Sequence, residues 1–248
     1  MKYIRAFFMS ATMFCAIPMP YRKWDDEARP LMTVMLPFVG LLIGLLWSAL
    51  AFVLHLIKVP HMITAALLCI FPYVLSGYMH LDGFMDVTDA VRSCRDLEER
   101  RRILKDSHAG AFALIGLVLL ILLTFALFAS ANPASDYRAL IFIPVMSRIC
   151  SAFFVTTLPP METSQFSGKY RDGIKKGHIV FLFVLLALTV IAAVFTCHKY
   201  ALVCPAVLIG YLLALRPAYK SLEGMNGDIA GYSLTISELC GVAVYALL

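Results

Sequence analysis

Long apolar runs with almost no charge recur along the chain and alternate with short polar segments. The runs occupy residues 38–55, 62–78, 109–131, 139–158, 179–197, 200–215 and 229–248. Each approaches or exceeds the roughly 17–25 residues that an α-helix needs to cross a bilayer. They are continuous rather than alternating, and a backbone in lipid must satisfy its own hydrogen bonds, so helices are favoured over barrel strands. The pattern predicts an all-α, polytopic integral membrane helical bundle with about seven transmembrane helices.

The amino-terminal segment has a different pattern. Lys2 and Arg5 precede a short apolar run that Pro18 and Pro20 interrupt, and no small-residue cleavage site of a signal peptide follows. We interpret this segment as an uncleaved helix at the membrane interface. No change in composition divides the chain, so the sequence predicts a single membrane-embedded domain over residues 1–248.

Composition supports a membrane protein and excludes several classes of function. Of the 248 residues 61% are apolar, compared with roughly 45–50% in a soluble domain. The seven cysteines form no C-x-x-C pair, which argues against a zinc site or a disulfide framework. The short arginine run at 100–102 is explained by membrane topology, so no nucleic-acid partner is indicated.

Basic residues concentrate in every second connection between the apolar runs, and this alternation predicts the orientation. The alternate connections carry only Lys58, Arg138 and Lys199. By the positive-inside rule, the basic connections are cytoplasmic. Those connections contain Arg22, Lys23, Arg29, Arg92, Arg95, Arg100, Arg101, Arg102, Lys105, Lys169, Arg171, Lys175, Lys176, Arg216 and Lys220.

Three carboxylates at spacings of four and three follow the second apolar run. On a helix, Asp82, Asp86 and Asp89 would share one face and repel each other. A divalent cation would neutralise them, and Mg²⁺ prefers carboxylate oxygens together with substrate phosphates. His80 is a candidate further ligand or base. The alternative interpretation is a solvated helix face neutralised by Arg92 and Arg95.

A charged segment before the third apolar run adds three candidates. Asp106 would be a fourth carboxylate for a two-ion site, and Lys105 would bind a phosphate oxygen. Ser107 follows directly.

Charged residues also occur within or beside the later runs. Arg148 and Glu238 lie inside apolar runs, where a lone charge is costly, so we expect them to face the bundle interior and pair with each other or with substrate. A glycine-rich turn at 224–231 brings Asp228 to the last run, where backbone amides can approach a phosphate.

Together these residues resemble the signature of cobalamin synthase, the adenosylcobinamide-GDP ribazoletransferase family. The resemblance departs at Ser93-Cys94, where glycine is expected, and at His108, where arginine is common. It rests on residues 17–20, on 36–40 with Ile43 and Gly44, on His80-Leu81-Asp82-Gly83 with Asp86 and Asp89, on Arg95-Asp96, Lys105-Asp106-Ser107, Gly110 and Phe112, and on Gly227-Asp228 with Gly231 and Glu238.

The resemblance implies a multi-pass enzyme of the bacterial cytoplasmic (inner) membrane, with its active site facing the cytoplasm. In such enzymes a hydroxyl of α-ribazole, or of α-ribazole 5'-phosphate, attacks the phosphate on the cobinamide side of adenosylcobinamide-GDP. Adenosylcobalamin, or its 5'-phosphate, forms and GMP leaves, with Mg²⁺ required. Membrane lipids are further partners, and the sequence leaves open a homo-oligomer or a complex with other corrinoid enzymes.

The resulting hypothesis gives each candidate a role. Asp82 and Asp86 are metal ligands, and Asp89 is a further ligand or the base for the attacking hydroxyl. Arg92, Arg95 and Lys105 hold the diphosphate, and Asp106 supports the metal or the nucleotide. The remaining substrate-binding candidates are His80, Ser107, Arg148, Asp228 and Glu238.

Two alternatives remain from other classes. A CDP-alcohol phosphotransferase also displaces a nucleoside monophosphate, but its Asp-Gly is followed by Ala-Arg, whereas Phe84-Met85-Asp86 follows here. A transporter would use Arg148 and Glu238 as an intramembrane relay, but transporters usually show internal repeats, and none is found.

Overall fold

The computed structural model describes residues 1–21, 23–133, 135–162 and 173–248. Within these ranges the chain is helical, which confirms the predicted fold class. The α-helices are α1 (Lys2–Phe14), α2 (Arg29–Leu56), α3 (His61–Leu75), α4 (Met79–Arg92), α5 (Leu97–Ile103), α6 (Ala111–Ser130), α7 (Ala139–Thr157), α8 (Lys176–Cys197), α9 (Val203–Leu222) and α10 (Gly227–Leu247).

Five helical stretches of the described chain are long and apolar enough to cross a membrane. They are Arg29–Leu56, Ala111–Ser130, Ala139–Thr157, Lys176–Leu222 and Gly227–Leu247. A sixth crossing is reached if α3 and α4, which meet at an angle of 91°, count together as one broken span. The protein is therefore a multi-pass membrane protein by the length and composition of its helices.

The longest of these stretches is folded back on itself. His198 has a φ of 50° and begins a short 3₁₀-helix, His198–Leu202, between α8 and α9. On either side of it, Phe183 of α8 lies 4.9 Å from Phe153, and Tyr211 of α9 lies 5.6 Å from Phe154, measured between ring centroids. Because Phe153 and Phe154 are neighbours on α7, α8 and α9 run antiparallel, as the two separate apolar runs predict.

Glycines allow the backbones of α2 and α7 to touch. A Cβ atom on Gly40 would collide with the carbonyl oxygen of Pro144, and one on Gly44 with that of Ile141. Small residues four apart are typical of close helix packing in membranes, where dispersion forces and not the hydrophobic effect hold helices together. This contact places the buried, middle part of α7 next to α2.

The crossing of α4 over α10 uses glycine in the same way. A Cβ on Gly83 would lie 2.9 Å from the carbonyl oxygen of Asp228, and one on Gly231 would lie 3.2 Å from that of His80. Gly77 and Tyr78, with φ of 61° each, turn the chain from α3 into α4. The bend therefore carries the predicted acidic face of α4 onto the amino end of α10.

Two arginines attach α5 to the end of α9. Arg100 donates to the carbonyl and hydroxyl oxygens of Ser221, at 3.2 and 2.8 Å, and Arg101 donates to the carbonyl oxygens of Leu222 and Glu223, at 3.1 and 3.0 Å. The last carbonyls of a helix lack intrahelical partners, so arginines here satisfy them and complement the helix dipole. Residues that sequence analysis explains by topology alone thus also hold two helices together.

The amino-terminal segment is helical, as expected, and packs on α2. Ala6, Met9 and Met32 are buried together. At the outer side of this contact, Lys2 pairs with Glu27 at 2.7 Å and Arg5 with Asp25 at 3.0 Å. The carboxyl end of α1 reaches α4, where Phe14 stacks on His80. Helix α1 is therefore a wall of the bundle on this side.

Candidate active site

A cavity of about 280 Å³ lies where α1, α2, α4, α7 and α10 meet. Two carboxylates, Asp82 and Asp228, line it beside mostly apolar side chains. No lysine or arginine is among the described residues around it. The full lining consists of Met13, Phe14, Thr33, Leu36, Met79, His80, Asp82, Ser151, Val155, Asn226, Gly227, Asp228, Ala230 and Gly231.

Three carboxylates form an acidic cluster at this cavity: Asp82, Asp86 and Asp228. The charges of Asp82, Asp228 and, from the next turn of α4, Asp89 act on Asp86, and that of Asp82 acts on Asp228. No lysine or arginine of the described chain forms an ion pair with any of the three. The cluster is therefore an uncompensated negative region that favours a cation.

The start of α10 holds Asp228 in place. Asn226 caps this helix by accepting a hydrogen bond from the Ile229 amide at 2.9 Å, and its side-chain amide donates to Oδ2 of Asp228 at 2.7 Å. An acidic residue in the first turn also complements the helix dipole. Gly83 packs against the backbone of Asp228, so the start of α10 lies directly against α4.

The third member of the predicted stripe, Asp89, has a different environment. It is buried, and its Oδ2 and Oδ1 accept hydrogen bonds from the amides of Gly110 and Ala113, at 2.5 and 2.9 Å. These amides belong to the unsatisfied first turn of α6. Asp89 thus caps α6 and closes the connection from α4, and both of its oxygens already have partners.

His80 lies at the wall of the cavity. Its ring is buried and stacks on Phe14 with centroids 5.8 Å apart, and its carbonyl oxygen accepts a hydrogen bond from Thr235 at 3.2 Å. The Nε2 atom has no hydrogen-bond partner among the described residues. A buried ring nitrogen without a hydrogen bond raises the free energy of the protein. A ligand that hydrogen-bonds to it would remove this cost.

Arg148 and Glu238 pair with each other, which was one of the two expectations for them. Nη1 of Arg148 lies 2.5 Å from Oε1 of Glu238, and the Ser147 hydroxyl donates to the same oxygen at 2.8 Å. The Arg148 side chain is only 1% exposed. This pair joins α7 to α10 inside the bundle, and neither residue lines the cavity.

The remaining candidates lie outside the cavity. Arg92, Arg95, Lys105 and Ser107 are exposed, and none of the three cations is ion-paired within the described ranges. Asp106 is exposed and accepts hydrogen bonds from the backbone amide and ring of His108, which together hold its pKa below the usual value. The structure therefore does not bring Asp106 into the acidic cluster. Within the described residues, no three His, Cys, Asp or Glu side chains converge as a ready metal site.

Sequence reasoning missed the contributions of α1 and α2. Phe14 and Thr33 line the cavity, but nothing in their local pattern shows that α1 lies against α4. Asn226 had a recognisable signal, because asparagine before an apolar helix is a favoured cap. Ser151 lies on α7, where a small polar residue inside a span usually only packs against a neighbouring helix.

The fold and the site define a class: a multi-pass membrane protein whose bundle holds a carboxylate-lined cavity, with cations at the end of α4 and in the connection to α6 that make no ion pair within the described chain. The model of the family described as cobalamin-5-phosphate synthase matches residues 6–246. The chain belongs to that family, which is a family of enzymes.

Individual relatives match along almost their whole length. An adenosylcobinamide-GDP ribazoletransferase of Clostridium perfringens (strain ATCC 13124) is 40% identical over 99% of both chains. Proteins of the same name from Clostridium botulinum (strain Alaska E43) and Desulfitobacterium hafniense (strain Y51) are each 31% identical, over 96% of this chain and 95% of theirs. No solved structure matches the chain.

Proposed function

We propose that the protein catalyses the transfer for which these relatives are named. The adenosylcobinamide-phosphate part of adenosylcobinamide-GDP would pass to α-ribazole or its 5'-phosphate. A bond forms between a ribose hydroxyl oxygen and the cobinamide-side phosphorus, and the bond from that phosphorus to the bridging oxygen breaks. The products are adenosylcobalamin or its 5'-phosphate, together with GMP.

The acidic cluster, of which Asp82 and Asp228 line the cavity, is the observation that carries this proposal. Attack of an alcohol on a pyrophosphate generates negative charge on several oxygens, and the reaction therefore depends on positioning and charge neutralisation. A cluster of carboxylates alone would repel such a substrate. The arrangement makes sense when a cation lies between the carboxylates and the phosphates.

Mg²⁺ fits the chemistry of this cluster. It is usually bound by one or two carboxylates and completed by water and substrate phosphates, so a preformed cage of three side chains is not required. Asp82 and Asp86, four residues apart on α4, would hold it. When bound, it would neutralise the phosphate oxygens and stabilise the leaving GMP.

Asp228 is the group that we assign to the proton of the attacking hydroxyl. It lines the cavity together with Asp82, and Asn226 donates a hydrogen bond to its Oδ2, so its Oδ1 is left to accept the proton. Asp89 was the earlier candidate base, but both of its oxygens accept backbone hydrogen bonds. We therefore transfer this role to Asp228 and leave Asp89 as the cap of α6.

The exposed cations near α4 would bind the diphosphate. Arg92 ends α4, and Arg95 and Lys105 follow in the connection to α6. A guanidinium binds phosphate oxygens in a bidentate manner, and all three side chains are free of carboxylate partners within the described chain. Because these residues belong to the basic connections, we propose that the site faces the cytoplasm from the bacterial inner membrane.

The test is GMP release by protein in detergent or liposomes, given adenosylcobinamide-GDP and α-ribazole, with and without Mg²⁺. Metal-dependent GMP release together with a new complete corrinoid supports the proposal. Folded protein that releases no GMP would overturn it, and CDP-activated lipids would then be the next donors to assay.

The variant Asp82→Asn probes the cation site directly. We expect a loss of at least about 100-fold in GMP release, because a neutral amide binds Mg²⁺ much more weakly than a carboxylate. Glu98→Gln, an exposed change in the first turn of α5, is the matched control and should keep full activity. Wild-type rates in Asp82→Asn would remove Asp82 from the site.

A further inference from the structure

The charges of the residues that line the cavity indicate which substrate it can bind. Its lining contains no lysine or arginine within the described chain, and its two charged residues are Asp82 and Asp228. Without a bound cation, a guanosine diphosphate group would meet two carboxylates there and no lysine or arginine of the described chain. The cavity interior therefore suits an uncharged part of a substrate.

The volume of the cavity and its wall residues restrict the class of ligand further. A volume of about 280 Å³ lies just below the roughly 300–1,000 Å³ of small-molecule pockets, and it is far too small for a corrin ring. Phe14, Leu36 and Val155 give apolar and aromatic surface. Such walls suit a flat, largely apolar heteroaromatic ring.

Two kinds of polar group line this cavity: uncharged hydrogen-bonding side chains and carboxylates. In the wall, the buried Nε2 of His80 lacks a partner among the described residues, and the buried Thr33 and Ser151 also face the cavity. The carboxylates of Asp82 and Asp228 are the second kind. The ligand thus needs a hydrogen-bonding aromatic part and hydroxyl groups that reach the carboxylates.

We propose that this cavity binds the acceptor nucleoside, with its base against Phe14 and His80 and its ribose hydroxyl at Asp228. The assignment rests on the function proposed above and adds the acceptor subsite to it. Helix α1 then becomes the specificity element for the base, because Phe14 supplies the aromatic wall. His80 is a positioning residue that hydrogen-bonds the base and does not touch the reacting phosphorus.

Steady-state kinetics of two variants test this subsite. For Phe14→Leu and His80→Gln, we expect the KM for α-ribazole to rise about tenfold, the loss of one good interaction, while the KM for adenosylcobinamide-GDP stays within about twofold. Phe8→Leu on the same helix is the matched control, since Phe8 packs on Tyr21 away from the cavity. A rise in the donor KM alone, or no change in either KM, would overturn the assignment.

Direct binding gives a second readout that does not need turnover. Titration of solubilised wild-type protein with α-ribazole should show saturable binding without Mg²⁺ or donor, and added GDP should not displace it. Phe14→Trp, which fills the cavity instead of enlarging it, should weaken this binding about tenfold or more. Displacement by GDP, or unchanged binding to Phe14→Trp, would contradict the proposal.

These measurements distinguish a failure of the proposed acceptor subsite from a failure of the proposed transfer reaction. If wild type releases GMP but the cavity variants keep the wild-type acceptor KM, the subsite is wrong and the reaction stands. If α-ribazole binds through Phe14 and His80 but no GMP is released, the ligand class of the cavity is supported and the proposed reaction fails.

Discussion

Asp82, Asp86 and Asp89 lie within two turns of one helix, yet their surroundings differ. Asp82 is exposed and Asp86 is half-buried beside Asp228, whereas Asp89 is buried against the first amides of α6. Spacing predicts that the three share a face, and it cannot show which neighbouring helix that face meets. One carboxylate is therefore used for capping while two remain open to a cation.

Replacing Asp89 by alanine should mainly destabilise the protein. The amides of Gly110 and Ala113 at the start of α6 would lose their acceptor, at a cost of about 1–3 kcal/mol, so the unfolding temperature in detergent should fall. The rate of GMP release per folded molecule should stay within a few-fold of wild type. A large loss of activity at an unchanged unfolding temperature would instead make Asp89 part of the chemistry.

The pair of Arg148 and Glu238 gives a second prediction for single residues. Glu238→Gln leaves the buried guanidinium without its counter-charge and should destabilise the protein by about 3–5 kcal/mol. The double variant with Arg148→Met should recover much of this loss, because no unpaired charge remains. Chemical denaturation of both variants measures it, and a double variant less stable than Glu238→Gln would contradict the explanation.

Some residue-level features were visible in the sequence and others were not. Expensive charges inside apolar runs predicted that Arg148 and Glu238 face inward. The departure from glycine at Ser93-Cys94 has a structural counterpart, since Cys94 has a φ of 53°, a conformation that glycine adopts more easily. The hydrogen bonds of Asp89 were not predictable, because they depend on a helix that begins 22 residues later.

At the scale of elements, apolar runs located most of the helices but not their contacts. The fold-back at His198 was expected from two separate runs. The 91° bend between α3 and α4 was not, because the sequence shows only where hydrophobicity ends and not the direction that the chain then takes. Helix α1 likewise carries no mark of its contact with α4. Both features help to form the cavity.

The contact between α2 and α7 should be intolerant of even one methyl group. In Gly44→Ala the new Cβ would collide with backbone atoms of Ile141, which cannot move aside as a side chain can, so we expect a clear drop in unfolding temperature. Gly177→Ala is the control, since within the described chain its Cβ position has no atom from another helix or loop within 4 Å. Equal stability of the two variants would show that the helices separate easily.

At the scale of the whole molecule, the orientation proposed from basic residues can be tested with a natural thiol. Cys94 is exposed, five other cysteines are buried, and Cys240 is partly buried within α10. A membrane-impermeant maleimide should therefore label the protein in inverted inner-membrane vesicles and not in intact spheroplasts. Lys58→Cys in a Cys94→Ser background should show the reverse pattern. Labelling of Cys94 from outside would reverse the orientation.

The attachment of α1 has a consequence for motion. The backbones of α2 and α7 touch at glycines, whereas α1 packs on α2 through side chains, and its amino end adds only two ion pairs, which contribute little and weaken with salt. In hydrogen–deuterium exchange the amides of α1 should therefore exchange well before those of α2 and α7, and faster at higher ionic strength. Exchange in that order would make the wall that carries Phe14 the most mobile wall of the cavity.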